Sequence, residues 1–186
     1  VSLATNPNVR IIDASTAHRT NHKWAYGFPE LSVQHREKII NSKRVAVPGC
    51  YASGFIASVY PLIKNGVMAP YHPVICHAVS GYSGAGKKAI AVYESENKPF
   101  EFNSPRQYAL SQNHKHLKEM QAISGLSYVP MFNPIVDDYY SGMVVSVPLI
   151  ARTLAKKTTA HDIWEIMSEH YKNEHFVKVM PFGGEG

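Results

Sequence analysis

The segment VAVPGCYASGF (residues 45–55) places a cysteine where a strand-like run meets a helix-like run. Pro48 and Gly49 permit a sharp turn, which brings Cys50 to the start of the predicted helix. A helix N-terminus stabilises a thiolate, the reactive form of cysteine, through its free N–H groups and its dipole. The pattern therefore indicates a nucleophile at Cys50. A small buried residue that packs under the turn is the alternative interpretation.

A nucleophilic cysteine needs a proton partner, and histidine is the usual one. The segment NHKHLKEMQ (113–121) offers His114 and His116 at a predicted helix start, with Glu119 on the face of His116 to orient it or to bind a substrate cation. On a regular helix the two histidines point about 200° apart, so they converge only if His114 precedes the first turn. Surface histidines are one alternative. A zinc site with Cys50 is another, although no further cysteine or carboxylate has ligand spacing.

The segment SGYSGAGKKA (80–89) is rich in glycine. Gly81 to Lys87 reads G-x-x-x-x-G-K between a predicted strand and a predicted helix, as in a phosphate-binding P-loop. Lys88, however, occupies the position of the Mg²⁺-binding serine or threonine, and no later strand ends in a convincing Mg²⁺-binding aspartate. The segment therefore predicts an anion-contacting loop and not an NTPase. A plain tight turn is the alternative.

Composition sets limits on the class of protein. The 186 residues suffice for one domain with a real core, or for one domain and part of another. No apolar stretch is long enough to span a membrane, and the start lacks a signal-peptide pattern. Two cysteines make a poor disulfide framework, which favours a reducing, cytosolic compartment, and Cys76 is predicted to be a buried strand residue. The net charge of +5 comes from scattered residues and indicates first a modestly basic soluble surface. The functional alternative is attraction of anionic small molecules, which the scatter favours over nucleic acid.

Strand-like and helix-like segments alternate along the chain. Strands are predicted over 9–14, 44–47, 74–80, 127–132 and 142–150. Helices are predicted over 32–41, 51–65, 87–96, 114–125 and 158–174, the last with an apolar stripe of Ile163, Ile166, Met167 and Tyr171. The order predicts an α/β to α+β fold, with a mixed β-sheet and flanking helices. Strand-like runs near both ends, the second at 176–180, indicate a piece of a longer chain.

Taken together and in order, these segments resemble the shorter class of N-acetyl-gamma-glutamyl-phosphate reductase. IIDASTAHR resembles the family's DxSxxxR segment, WAYGFPEL its YG(L/F)PEL segment, and VPGCYASGF its NPGCYPTG segment. The glycine-rich loop resembles SGxSGAG, and YALSQNHKHLKEMQ resembles Y…HxHxPE. Ala52-Ser53 replaces the family's Pro-Thr, and Lys118 replaces the proline before Glu119. PGCY followed by HxHxxE is the most specific part of the resemblance.

The resemblance implies a cytoplasmic, NADP-dependent reductase of arginine biosynthesis, related in mechanism to aspartate-semialdehyde and glyceraldehyde-phosphate dehydrogenases. Cys50 would attack an acyl phosphate to form a thioester, and hydride from NADPH would yield N-acetylglutamate semialdehyde. By motif position, His116 is the favoured acid/base and His114 the second choice. The resemblance assigns the remaining positions to the substrate (Ser15, Arg19, Tyr108 and Glu119) and to the cofactor (Ser80, Gly81, Ser83 and Gly84), with no metal.

The resemblance also implies a domain division. The family's N-terminal G-x-x-G-x-x-G loop is absent before residue 80, and the family continues past Gly186. Residues 1–47 would be the C-terminal remnant of a Rossmann-type dinucleotide-binding domain, and residues 48–186 a semialdehyde-dehydrogenase-like catalytic and dimerisation domain. The full-length protein would form a homo-oligomer without nucleic acid or membrane partners, and the isolated chain would be inactive. A cysteine hydrolase and a non-catalytic phosphate-binding or dimerisation module are the alternatives.

Overall fold

The computed structural model describes residue 6 and residues 8–184, and its first part is a parallel sheet. Strands β1 (Ile11–Asp13), β2 (Ala25–Tyr26) and β3 (Arg44–Ala46) lie in the order β1-β3-β2. Both neighbours run parallel to β3, and helix α1 (Val33–Asn41) connects β2 to β3. The central strand, β3, ends just before the turn that precedes Cys50, so the chain passes directly from this sheet into that turn.

Helix α2 (Cys50–Lys64) is the central helix of the core. Its sequence is apolar on most sides, which is the pattern of a helix covered by other elements. Tyr51, Phe55, Ile56 and Leu62 are among its buried residues. The helix ends at Asn65-Gly66, as predicted, where Gly66 adopts a φ of 66°.

The second sheet contains four strands and is mixed, as predicted. Strands β4 (Ile75–Gly81), β5 (Arg106–Gln107), β6 (Met131–Asp137) and β7 (Met143–Ser146) lie in the order β5-β6-β4-β7. Strands β4 and β6 are parallel, whereas β7 and β5 are antiparallel to their neighbours. One face of this sheet joins the core through Cys76, Ala78 and Phe132. The other face exposes Ile75, His77, Met131 and Val144.

Three helices complete the described fold: α3 (Lys87–Tyr93), α4 (Leu117–Ser124) and α5 (Ala160–Tyr171). Helix α5 has a capping box between Thr159 and Asp162, and its predicted apolar stripe packs on the core. Helix α4 begins three residues later than predicted. The longest described helix is α2, with 15 residues, and no helix in the described part of the chain is long and apolar enough to cross a membrane.

Two strand predictions were wrong. The prediction of 127–132 missed most of β6, because Asn133-Pro134 has the composition of a turn although Pro134 is buried within the strand. Residues 176–180, which have strand-like alternation, form no strand in the described structure. Short strands β2 and β5 had no predicted counterpart, since a pair of residues carries no periodicity.

Candidate active site

Cys50 is the first residue of α2, four residues after β3 ends at Ala46. The strand–turn–helix arrangement that the sequence predicted is thus confirmed. Gly49 is the N-cap residue and has no side chain to cap the helix, so the N–H groups of the first turn stay available to groups beside Cys50. The Cys50 side chain is exposed and lines a cavity of about 560 Å³.

A buried carboxylate fixes the turn before Cys50. Glu119 accepts hydrogen bonds from the Gly49 N–H (2.7 Å), the Tyr26 hydroxyl (2.8 Å) and Arg19 Nη1 (3.2 Å). Its side chain is almost fully buried, so these three donors compensate a charge that water cannot reach. Burial and the nearby carboxylate raise the pKa of Tyr26, which keeps its hydroxyl protonated as a donor.

His116 lies directly behind this turn, at the N-cap position of α4. A Cβ added at Gly49 would overlap His116 Nε2 and would lie 2.6 Å from Arg19 Nη1, so only glycine fits there. Burial, helped by the positive neighbours His114 and Arg19, lowers the pKa of His116 to about 3. At neutral pH its imidazole is therefore uncharged. Its Nδ1 is buried without a hydrogen-bond partner among the described residues.

His114 precedes α4, which satisfies the condition for the two histidines to converge. Its Nδ1 accepts a hydrogen bond from the His116 backbone N–H (3.2 Å), and the two rings meet edge to face at 4.7 Å. Both rings also contact Tyr51, the residue after Cys50, at centroid distances of 6.1 and 5.9 Å. Burial, and to a lesser extent the charge of Lys115, lowers the pKa of His114.

A chain of hydroxyl groups lines the Cys50 cavity. Tyr108 donates to the Tyr51 hydroxyl (2.9 Å), which lies 2.5 Å from Ser80 Oγ. Burial, the Tyr51 hydrogen bond and the charge of Cys50 all raise the pKa of Tyr108, so it remains a protonated donor beside the cysteine. The four residues that the sequence assigned to a cofactor line this same cavity: Ser80, Gly81, Ser83 and Gly84.

The backbone that connects Tyr108 to His114 is unusual. Ala109 (φ 53°) and Gln112 (φ 54°) both adopt the left-handed region, which disfavours residues with a side chain. The Gln112 amide compensates by bonding both backbone groups of Phe132, donating to the carbonyl and accepting from the N–H at 2.8 Å each. This clamp connects the loop to β6 and holds both ends of the loop at the site.

Arg106 is a cavity residue that the sequence analysis did not identify. It is the one cationic side chain among the described residues that line the Cys50 cavity. Its guanidinium carbon lies 3.5 Å from the centroid of the Phe102 ring, and Nη2 donates to the Tyr93 hydroxyl (3.3 Å). Its Nε is buried and has no hydrogen-bond partner among the described residues. The sequence signal that could have identified it is the two-residue spacing of Arg106 and Tyr108, because a strand places residues with this spacing on the same side of its sheet.

The predicted substrate residues do not share one environment. Tyr108 lines the Cys50 cavity, whereas Arg19 and Glu119 line a separate polar cavity of about 500 Å³ with His114. Ser15 is exposed and binds Asp13 through both its hydroxyl (2.8 Å) and its N–H (2.9 Å). Arg19 also donates to the carbonyls of Val47 and Ala14. The substrate roles of all four residues therefore stay predictions.

The zinc alternative has no matching geometry. In the part of the chain that the structure describes, no three His, Cys, Asp or Glu side chains are grouped so that they would hold a metal ion. The two histidines instead contact each other and Tyr51.

Comparison with known families identifies the class of protein. Residues 50–185 match the family model described as semialdehyde dehydrogenase, dimerisation domain. The match covers most of the chain and begins at the cysteine that opens α2. The chain therefore belongs to the semialdehyde dehydrogenase family.

Curated relatives show which enzymes of this family the chain resembles. N-acetyl-gamma-glutamyl-phosphate reductase 2 of Nostoc sp. is 44% identical over 191 residues, which cover 98% of this chain and 58% of that protein. N-acetyl-gamma-glutamyl-phosphate reductase 2 of Pseudomonas putida is 43% identical over 183 residues, covering 97% of this chain and 58% of that protein. The chain thus spans 58% of the length of these relatives.

Solved structures agree on the fold. Aspartate semialdehyde dehydrogenase II from Vibrio cholerae superimposes with a TM-score of 0.59 at 14% identity, covering 85% of this chain and 52% of that one. Aspartate semialdehyde dehydrogenase from Francisella tularensis gives a TM-score of 0.58 at 13% identity, covering 87% and 56%. The predicted semialdehyde-dehydrogenase-like mixed sheet with flanking helices is therefore confirmed.

Proposed function

We propose that the protein carrying this chain is an NADP-dependent reductase that converts N-acetyl-gamma-glutamyl phosphate to N-acetylglutamate semialdehyde in arginine biosynthesis. The observation that carries the proposal is Cys50, exposed to a cavity at a helix N-terminus with the neutral imidazole of His116 directly behind the turn. Two relatives above 40% identity bear the name of this reductase. A free thiol needs reducing surroundings, which favours the cytoplasm.

The first chemical step is acyl transfer to Cys50. The Sγ–carbon bond forms at the acyl carbonyl, the bond from that carbon to the phosphate oxygen breaks, and inorganic phosphate leaves with the bonding pair. His116, whose Nε2 lies against Gly49 in the turn before Cys50, accepts the thiol proton, and His114 is the second candidate. The free N–H groups of the first turn of α2 stabilise the carbonyl oxygen as it gains charge.

The second step reduces the thioester. The nicotinamide cofactor, when bound, supplies the hydride. After hydride addition the oxygen re-forms the aldehyde carbonyl as the Sγ–carbon bond breaks and its electron pair stays on Sγ; the proton held by His116 then returns to Sγ, which restores the Cys50 thiol. The chain's own residues suit a cofactor beside the cysteine, since a Cβ at Gly84 would meet no atom within 4 Å. Backbone that is open in this way would let the loop Ser80, Gly81, Ser83 and Gly84 approach a large ligand.

We also infer the domain division and the partner. Residues 1–47, with their parallel strands, would complete a dinucleotide-binding domain, and residues 48–186 would form the catalytic and dimerisation domain. The exposed face of the second sheet, with Ile75, Met131 and Val144, suits a second copy of the chain. Light scattering is expected to give twice the protomer mass. A monomer that retains full activity would contradict this assembly.

The decisive assay follows NADPH oxidation by the natural full-length protein with N-acetyl-gamma-glutamyl phosphate. C50S is expected to lower kcat roughly a thousandfold or more, because no thioester forms, whereas C76A stays within a few-fold of wild type. The hydrolase alternative predicts a different result, namely phosphate and N-acetylglutamate released without NADPH oxidation. Equal activity in C50S and wild type would overturn the proposed nucleophile.

A further inference from the structure

A side chain takes the place of a backbone residue at the edge of strand β6. The Tyr108 N–H donates to the Pro134 carbonyl (3.1 Å), and the register of β5 with β6 would then place Leu110 opposite Phe132. Leu110 is instead 71% exposed, because the chain turns away after Tyr108. The side-chain amide of Gln112 binds Phe132 in its place, donating to the carbonyl and accepting from the N–H at 2.8 Å each. These are the two bonds that a paired residue of an antiparallel strand would supply.

The turn that leaves β5 has a strained backbone. Ala109 (φ 53°) and Gln112 (φ 54°) both adopt the left-handed region, and the Gln112 N–H closes the turn on the Ala109 carbonyl (3.0 Å). Residues with a side chain keep such a conformation only where the surrounding structure holds them in it. The paired bonds between Gln112 and Phe132 supply contacts of this kind, so the path of the turn depends on them.

The turn carries His114 toward the cysteine site. His114 follows Gln112 by two residues, and its ring meets the Phe132 ring edge to face, with the centroids 5.1 Å apart. Phe132 therefore contacts this segment twice, through its backbone at Gln112 and through its ring at His114. The His114 ring also contacts Tyr51, the residue after Cys50, at a centroid distance of 6.1 Å.

We propose that Gln112 is a positioning residue for the reductase reaction, because its amide fixes the place of His114 beside Tyr51. This inference rests on the proposed reductase function and adds a residue to it. Gln112 lines the separate polar cavity and not the Cys50 cavity, so it acts through His114. The His114 Nδ1 in turn accepts a hydrogen bond from the His116 backbone N–H (3.2 Å). A displaced turn would therefore move both histidines of the candidate site.

The chemistry of the side chain agrees with this role. A primary amide presents a donor and an acceptor in one plane, as a peptide group does, so it can bind both backbone groups of Phe132. A carboxylate of the same length could accept from the Phe132 N–H but would repel its carbonyl oxygen. An apolar side chain at position 112 would leave both groups without this partner.

The test compares two glycine variants of the natural full-length protein. Both replace a residue whose φ is 53° or 54° by one that adopts this conformation freely, but Q112G removes the bonds to Phe132 and A109G keeps them. Both variants should therefore melt within a few degrees of wild type. Q112G is expected to lower kcat roughly 10- to 100-fold, because a small misplacement of an acid/base group costs this much, whereas KM stays within about threefold. A109G should keep kcat within about threefold of wild type.

A second measurement follows the His114 ring without turnover. NMR of the histidine Cε1–H signals, assigned with H114Q, gives the pKa of His114, which burial lowers below its ordinary value of 6.5. This pKa should rise toward 6.5 in Q112G, because a released ring gains contact with water, and it should stay unchanged in A109G. A role of Gln112 in stability alone would lower the melting temperature and leave the pKa of His114 unchanged in the folded protein.

Each result has a defined meaning. Unchanged kcat and an unchanged His114 pKa in folded Q112G overturn the proposal. A rise in KM alone also overturns it, because Gln112 would then bind the substrate, and so does an equal loss of kcat in A109G, which would assign the effect to loop flexibility. If Q112G fails to fold, Q112E decides in the same assays, since glutamate has the same length and a carboxylate cannot donate to the Phe132 carbonyl. A raised His114 pKa in Q112G, together with no reductase activity in wild type, would contradict the proposed function alone.

Discussion

The two cysteines of this chain lie in opposite environments, although both border the same core. Cys50 opens α2 and is exposed to a cavity, whereas Cys76 is the second residue of β4 and has no exposed surface. Burial raises the pKa of Cys76 to about 12, so this thiol stays protonated and inert. The comparison shows that the backbone around a cysteine, and not the side chain, decides whether it can react.

The surroundings differ in the same way. Cys76 is held by apolar neighbours in the sheet, as an ordinary core residue would be. The turn before Cys50 is held by Glu119, with three donors around a carboxylate that is shielded from water. Polar groups buried in this way hold a definite geometry but contribute less to stability than apolar packing would. The turn before Cys50 therefore has a defined geometry but contributes less to stability than apolar packing would.

The largest expected difference is in alkylation. Iodoacetamide at pH 8 is expected to modify Cys50 roughly a hundredfold or more faster than Cys76, because Cys50 is accessible, whereas Cys76 is buried and its pKa is raised by that burial. Peptide mass spectrometry of quenched samples measures both rates in one protein. Denaturant should bring the two rates together. Similar rates in the native protein would contradict the difference in environment between the two cysteines.

A second experiment compares how strongly a substitution destabilises the protein in the turn before Cys50 and in the glycine-rich loop. Gly49→Ala is expected to lower the free energy of unfolding by roughly 1–3 kcal/mol, because its Cβ would overlap His116 and Arg19. Gly84→Ala is the matched control and should change stability by less than about 0.5 kcal/mol, since no atom lies within 4 Å of its Cβ. Urea denaturation measures both variants. Equal effects would show that the turn around Cys50 is not closely packed.

A third experiment measures the slope of stability against pH. The folded pKa of His116 is about 3 and the ordinary value is 6.5, so the unfolded chain binds this proton first as the pH falls. Stability is therefore complete above pH 6.5 and declines toward pH 3, by at most about 1.4 kcal/mol per pH unit for this group. His116→Gln should flatten the slope, whereas the exposed His175→Gln should not. An unchanged slope in the first variant would contradict the burial of His116 as its cause.

The local parts of the site were predictable from the sequence. The strand, the turn and helix α2 around Cys50 follow from neighbouring residues, and so does the prediction that Cys76 is buried. Gly66 marks the end of α2 for the same reason. Local patterns also located the two histidines, although the start of α4 differed by three residues.

The remaining parts depend on residues that are distant in sequence. Glu119 was paired with His116 because it follows His116 by three positions, but it accepts hydrogen bonds from Gly49, Tyr26 and Arg19. Arg106 gained its position from pairing with β6, which sequence periodicity did not show because Pro134 interrupts it. Contacts of this kind are decided by tertiary packing and leave no periodic signal.

The hydrogen bonds that Glu119 accepts form a junction between distant parts of the chain. This junction also determines when the turn before Cys50 can form. Its hydrogen bonds join positions that are 70, 93 and 100 residues apart. Closing such long loops costs chain entropy before any contact forms, so the junction belongs to the late events of folding. On a ribosome, the turn at Cys50 stays unsupported until Glu119 has left the exit tunnel. During this interval Cys50 is an ordinary accessible thiol, and only the reducing agents of the cell protect it.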